Sequence, residues 1–148
     1  IYECARKYKI PRVLFASSNR VSAMAEPDWK DGDPLISVND LGRPDGDYAV
    51  TKLFGEAIAR EYFDLYGISS ICLRIGSVMA SNDPRGDKRR MKTWISYRDF
   101  IHLIEQSLST SIPFGIYYGV SNNKGRFWDI ENAISDLRYV SRDDSSKL

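Results

Sequence analysis

The sequence predicts an α/β layer fold built on a mainly parallel sheet. Three observations predict it. Strand-like apolar runs alternate with helix-like amphipathic stretches along the chain. The runs are short and almost continuously apolar, as strands buried on both faces are. Each run ends in small polar residues, the composition of a binding crevice at the carboxyl ends of parallel strands.

The elements follow in order. Tyr2-Glu3-Cys4-Ala5-Arg6-Lys7-Tyr8 reads as helix. Ile10-Pro11 breaks it, and Arg12-Val13-Leu14-Phe15-Ala16 is a first strand ending in Ser17-Ser18-Asn19. Val21 to Asp47 is rich in Pro, Gly and Asp and reads as a long loop, a kind of segment that is often functional. Tyr48 to Tyr66 is the clearest helix. Val50, Leu53, Phe54, Ala57 and Ile58 give it one apolar face, Asp47 is its expected N-cap, and Gly67 is its expected stop. Ser70 to Ile75 is a second strand leading into Gly76-Ser77, and Val78 to Lys92 is irregular. Ser96-Tyr97-Arg98-Asp99 has capping-box spacing ahead of a stripe formed by Phe100, Ile101, Ile104 and Leu108. Ile116 to Val120 is a third strand, and it ends near Ser121-Asn122-Asn123. A weak helix lies near Asp129 to Leu137, and the polar tail from Ser141 to Leu148 is expected to fray.

Composition removes several function classes. The 148 residues are about one domain's worth, with 43% hydrophobic and 28% charged residues. A net charge of +1 lacks the basic excess that drives nucleic-acid binding. The basic run Arg85-Gly86-Asp87-Lys88-Arg89-Arg90 reads as a solvated loop, since no aromatics interleave it. Charges interrupt every apolar run well short of a membrane span. Two cysteines and one histidine are too few for a CxxC-type zinc site, so no metal is expected. Lone cysteines point to a reducing, cytoplasmic setting. His102 sits between the apolar positions of its stripe and reads as a boundary residue. Trp29, Trp94 and Trp128 read as packing residues, and Cys72 as a small buried hydrophobe.

The sharpest chemical feature is Tyr48 with Lys52. A spacing of four puts both on one helix face, one turn apart. A phenol at its ordinary pKa of about 10 is a poor base at neutral pH. An adjacent ammonium favours the phenolate. Such a pair can take a proton from a hydroxyl as hydride leaves the same carbon. A serine at a nearby strand end would hold the reacting oxygen, and Ser18 is such a serine.

At these residues the chain resembles the second half of an extended short-chain dehydrogenase/reductase, of the NAD-dependent epimerase/dehydratase family. The resemblance rests on Ser18, Tyr48-Ala49-Val50-Thr51-Lys52 and Leu73-Arg74-Ile75-Gly76-Ser77. Phe15-Ala16-Ser17-Ser18-Asn19, Arg43-Pro44-Asp45-Gly46, Arg90-Met91-Lys92-Thr93-Trp94 and Trp128-Asp129 narrow it to the uronate dehydrogenases. It covers Ile1 to about Asp144. The implied fold is a Rossmann-like doubly wound, mainly parallel sheet, present here as its C-terminal portion. The implied cofactor is NAD, and the implied partner is a small sugar acid. Oxidation at C1 of a hexuronic acid to an aldaric acid lactone is the implied reaction.

The resemblance also implies roles. Tyr48 would accept the proton. Lys52 would support its phenolate and bind the nicotinamide ribose, and Ile75 would line the nicotinamide pocket. Ser18 and Asn19 would hold the substrate, and Ser77 and Arg90 would contact the sugar acid, Arg90 by pairing with its carboxylate. Tyr48 would also touch the cofactor, Arg20 would join the substrate-binding residues from the position where those enzymes carry a histidine, and Arg89 competes with Arg90 for its role. No Gly-x-Gly-x-x-Gly occurs among the ten glycines, so residues 1–148 are expected to be the C-terminal part of one NAD(P)-binding domain, with its substrate-binding loops, whose glycine-rich half precedes Ile1. On that expectation this segment alone is inactive. A homo-oligomer is left open. The alternatives are another extended short-chain enzyme, such as a sugar epimerase, dehydratase or sugar-phosphate dehydrogenase, and a non-catalytic fragment.

Overall fold

A computed structural model describes all 148 residues, Ile1 to Leu148. Helix α1 (Tyr2–Lys7) leads into strand β1 (Arg12–Ser18) and then a 3₁₀ segment, Asn19–Asp28. Helix α2 (Asp47–Tyr66), strand β2 (Ser69–Ile75), helices α3 (Lys88–Thr93) and α4 (Tyr97–Ser109), strand β3 (Phe114–Gly119) and helix α5 (Glu131–Leu137) follow. A last 3₁₀ turn covers Ser145–Lys147. The three strands form one sheet in the order β1-β2-β3, and both pairings are parallel. The predicted alternation and parallel sheet are therefore present. No helix is long and apolar enough to cross a membrane.

The central strand, β2, explains the layering. Its side chains alternate between two cores, as the twofold period of a strand requires. Ile71 and Leu73 enter the larger core with Leu103 of α4, Tyr117 of β3, Trp128, and Ala133 and Leu137 of α5. Cys72 points the other way, to Tyr2 of α1 and Ala59 of α2, with Val13 and Phe15 of β1 alongside. Helices thus cover both faces. Trp94 and Trp128 are packing residues as expected, at 1% and 0% exposed.

Arg74 sits on the Cys72 side of β2, where a lone charge could not stay. Its Nε and Nη2 donate to Glu56 Oε1 and Oε2 of α2 at 2.9 and 2.8 Å. Ser17 Oγ of β1 donates to Glu56 Oε1 at 2.5 Å. Arg74 Nη1 donates to the Tyr118 hydroxyl at 3.3 Å, and that hydroxyl donates to Ser22 Oγ at 2.8 Å. Burial holds the Tyr118 phenol above its ordinary pKa, so it keeps the proton it donates. This buried chain joins the 3₁₀ segment, all three strands and α2.

Several expectations need correction. The apolar face predicted for α2 is buried only in part: Leu53 and Ile58 are half-buried, Ile58 against the Cys72 core. Val50, Phe54 and Ala57 are exposed, and the buried residues are Ala49, Glu56 and Ala59. Small residues let the helix approach the sheet, and Glu56 goes inward because Arg74 neutralises it. Gly46, not Asp47, is the N-cap, and Asp47 is the first helical residue. Gly67 does end the helix, in the left-handed region at φ 68°. The presumed loop after β1 begins as the 3₁₀ segment, and the irregular stretch after β2 contains α3.

Ser96 caps α4 by accepting from the Asp99 amide at 3.0 Å, but Asp99 does not return the bond as a capping box would. Its carboxylate accepts from Ser121 Oγ at 2.6 Å and from the amides of Arg142 and Asp143 at 2.9 and 3.1 Å. For that reason the tail is not frayed. Ser145 is buried and donates to the Met91 carbonyl.

Candidate functional site

The carboxyl ends of the strands lie level. Ser18 of β1 pairs in register with Ile75 of β2, and Ile75 with Gly119 of β3. Beyond that line a cleft of about 520 Å³ opens. Its walls include Ser18, Asn19 and Arg20 from β1 and the turn after it, Ile75 at the end of β2 with Ser77 just beyond it, and Arg89 and Arg90 from α3. All but two of the predicted site residues thus meet around one cavity.

The ledge is held rigidly. Gly76 has no room for a side chain, since a Cβ there would meet the backbone oxygens of Thr93 and Gly119 at 2.4 and 2.8 Å. The Gly76 amide donates to Gly119 O at 2.7 Å. Ser77 is pinned by its amide to Thr93 O at 2.7 Å and by an Oγ–Oγ1 hydrogen bond to Thr93 at 2.8 Å. Ser18 Oγ accepts the Arg20 amide at 3.2 Å, and one lone pair is left for another donor.

The two residues outside the cleft lining are Tyr48 and Lys52. They occupy the first turns of α2, and Tyr48 is 60% exposed. Lys52 Nζ donates to the Ala16 carbonyl at 2.9 Å, two residues before Ser18. The same ammonium lies 5.3 Å from the centroid of the Tyr48 ring. Lys52 therefore docks the start of α2 onto the strand that carries Ser18. One of its three N–H donors is used, and the others remain for ligand hydroxyls.

The three arginines are held differently. Arg20 makes two contacts to Asp45, at 3.0 and 2.7 Å. Arg89 donates through Nε and Nη2 to both oxygens of Glu26, at 2.7 and 2.8 Å. Arg89 Nη2 also reaches Asn19 Oδ1 at 3.5 Å. Burial keeps the Glu26 carboxyl above its ordinary pKa despite the guanidinium, which pulls the other way. Arg90 meets Asp87 only at 3.5 Å.

The third strand end does not join the site. Asn123 is 2% exposed and donates to the Trp94 carbonyl at 2.7 Å, while its Oδ1 accepts the Ser145 amide at 3.0 Å. Sequence reasoning passed over Glu26 and Glu56 and named Asp45 and Thr93 without giving them a role, yet each of the four holds a neighbour in place. One signal was available: a lone arginine inside an apolar strand, as at Arg74, demands a buried acid somewhere.

Residues 1–103 match the NAD dependent epimerase/dehydratase family. A uronate dehydrogenase from Pseudomonas putida is 39% identical over 147 residues, which are 98% of this chain and 51% of that protein. An NAD-dependent glucose-6-phosphate dehydrogenase from Haloferax volcanii is 29% identical over 100% of this chain and 59% of its own length. The crystal structure of a uronate dehydrogenase mutant from Agrobacterium tumefaciens complexed with NAD superposes with a TM-score of 0.85 at 32% identity. That match covers 99% of this chain and 52% of the other. The chain spans about half the length of the uronate dehydrogenases it matches.

Proposed function

Since the chain belongs to the NAD dependent epimerase/dehydratase family, we propose that it supplies the catalytic and sugar-binding part of an NAD-dependent dehydrogenase that oxidises C1 of a hexuronic acid to the aldaric acid lactone. The observation that carries the reading is the Lys52 bond to Ala16 O, which sets the Tyr48–Lys52 pair beside the strand end that opens into the arginine-lined cleft.

The donor set fits the nicotinamide-ribose end of NAD. Lys52 has donors to spare for ribose hydroxyls, and Ile75 offers an apolar wall at the strand end. The pyrophosphate has no glycine-rich turn among these residues. When bound, NAD supplies the hydride acceptor. Ser18 holds the C1 oxygen by hydrogen bonding, and Asn19 lies beside it. The Tyr48 phenolate takes the C1 hydroxyl proton as that carbon loses its hydride. Lys52 steadies the phenolate through its charge. Arg90, held loosely at 3.5 Å, turns to the sugar carboxylate, and Ser77 adds a hydroxyl fixed by Thr93.

The uronate dehydrogenases among the relatives support this substrate class. The test uses the full-length protein with NAD and a panel of sugars, followed by absorbance of the reduced nicotinamide. Glucuronate or galacturonate should be oxidised, and neutral hexoses should not. Turnover of a hexose phosphate or a nucleotide sugar, with none on either uronate, would replace this reading with another extended short-chain activity.

A further inference from the structure

Three guanidinium groups reach the cleft, but they are not equally available to a ligand. Arg20 is engaged by Asp45 through two contacts, at 3.0 and 2.7 Å. Arg89 is gripped fork to fork by Glu26. The Glu26 side chain is 8% exposed. A carboxylate released there would stand unpaired and poorly hydrated, which opposes any ligand that tries to take Arg89 from it. Arg90 and Asp87 are 52% and 45% exposed and 3.5 Å apart, so water readily replaces that contact. Asp87 is in any case committed to the Arg90 amide, which donates to its Oδ1 at 2.9 Å.

We infer that Glu26 is a specificity-determining residue: by neutralising Arg89 it leaves one available guanidinium in the cleft, Arg90, and so matches the site to sugars carrying a single carboxylate and not to doubly charged phosphate esters. Glu26 touches no substrate in this scheme. It acts by what it withholds. The inference rests on the proposed hexuronate site and adds the reason that site would discriminate against sugar phosphates. The glucose-6-phosphate dehydrogenase among the relatives makes the distinction a practical one.

The experiment uses the full-length protein as wild type, Glu26→Gln, Glu26→Asp and Glu26→Gln with Arg89→Met. Inorganic phosphate is titrated by calorimetry, and KM is measured for glucuronate and for a hexose 6-phosphate. Glu26→Gln should tighten phosphate binding about tenfold or more, the worth of one charge-assisted hydrogen bond, and lower the hexose 6-phosphate KM alongside it. Glu26→Asp, whose carboxylate is withdrawn by one methylene, should move the same way by less and covers the case that the glutamine variant fails to fold. Adding Arg89→Met should return phosphate affinity to the wild-type value. Unchanged phosphate affinity in a folded Glu26 variant overturns the inference, and so does a gain that survives Arg89→Met. Absence of turnover on any hexuronate defeats the functional reading, whereas the phosphate titration needs no turnover and decides on Glu26 separately.

Discussion

Replacing Arg74 by methionine should be among the most damaging single changes in the chain. Arg74 and Glu56 are each 5% exposed in their side chains, and the substitution deletes three hydrogen bonds: two to Glu56 and one to Tyr118. Methionine fills much of the same volume, so the loss is mainly electrostatic. Tyr118 keeps Ser22, but Glu56 is left with Ser17 alone as a partner for a buried carboxylate. Breaking a buried pair from one side costs about 3–5 kcal/mol. With a urea slope of roughly 2 kcal/mol/M, the unfolding midpoint should fall by roughly 1.5–2.5 M. The assay is urea unfolding of the full-length protein followed by circular dichroism, with Arg60→Met as control. Arg60 pairs with Asp64 at 2.7 Å, but both side chains face water at 58% and 47% exposed, so that change should fall within the scatter of a surface substitution. Adding Glu56→Leu to Arg74→Met should recover a large part of the loss, because it removes the stranded charge. Equal midpoints for Arg74→Met and Arg60→Met would show that the buried pair does not behave as an interior ion pair.

Tyr48→Phe should lower turnover in the full-length protein by about two decades or more while cofactor titration stays nearly unchanged, since it deletes only the proposed proton acceptor; near-wild-type turnover would remove Tyr48 from that proposed role. Arg90→Ala should raise the hexuronate KM by about ten- to a hundredfold, the equivalent of a charge-assisted hydrogen bond of about 1.5–3 kcal/mol, with little effect on NAD affinity; the same loss in Arg89→Ala alone would reassign the carboxylate partner. Gly76→Ala should destabilise the protein and impair turnover together in a thermal melt and activity assay, because a Cβ there meets backbone oxygens at 2.4 and 2.8 Å that cannot move aside alone. Burial, reinforced by the Glu56 carboxylate, pushes the Cys72 thiol up to about 12, so its peptide should stay unalkylated in the native protein up to roughly pH 9, where a thiol near its ordinary value is mostly thiolate; peptide mapping after iodoacetamide treatment checks this, and labelling that rises with pH would refute it.

The strands were legible in the sequence because each is a short apolar run following a breaker such as Pro11 or Gly67. The runs underestimated strand length at ends where polar residues continue the pairing, as at Ser17 and Ser18. The α2 helix was legible, but its orientation only in part, through Leu53 and Ile58. A hydrophobic stripe marks the buried face only when the buried residues are themselves hydrophobic, and here alanines and a paired glutamate lie against the sheet. The ordered tail escaped notice because its anchor, Asp99, sits more than forty residues earlier in the chain. The candidate site divides in the same way. Ser18, Ser77, Tyr48 and Lys52 follow local rules of strand ends and helix spacing. Which acid holds which arginine does not, since Glu26 and Arg89 are 63 residues apart.

The level line from Ser18 through Ile75 to Gly119 also governs how this architecture can tolerate change. In a parallel sheet, inserting or deleting one residue within β1 or β2 would slide a strand by about 3.3 Å and turn its side chains to the opposite face. Ser18 and Ile75 would then no longer face the same space. The chain from Val78 to Asp87 begins only after Ser77 has been tied back to Thr93, and it ends where Asp87 caps α3. Its length can vary between those two fixed points without disturbing the register behind it. The cleft is thus built from separately adjustable parts: an in-register floor that admits no frameshift, and a rim loop whose length can change while the floor stays in place.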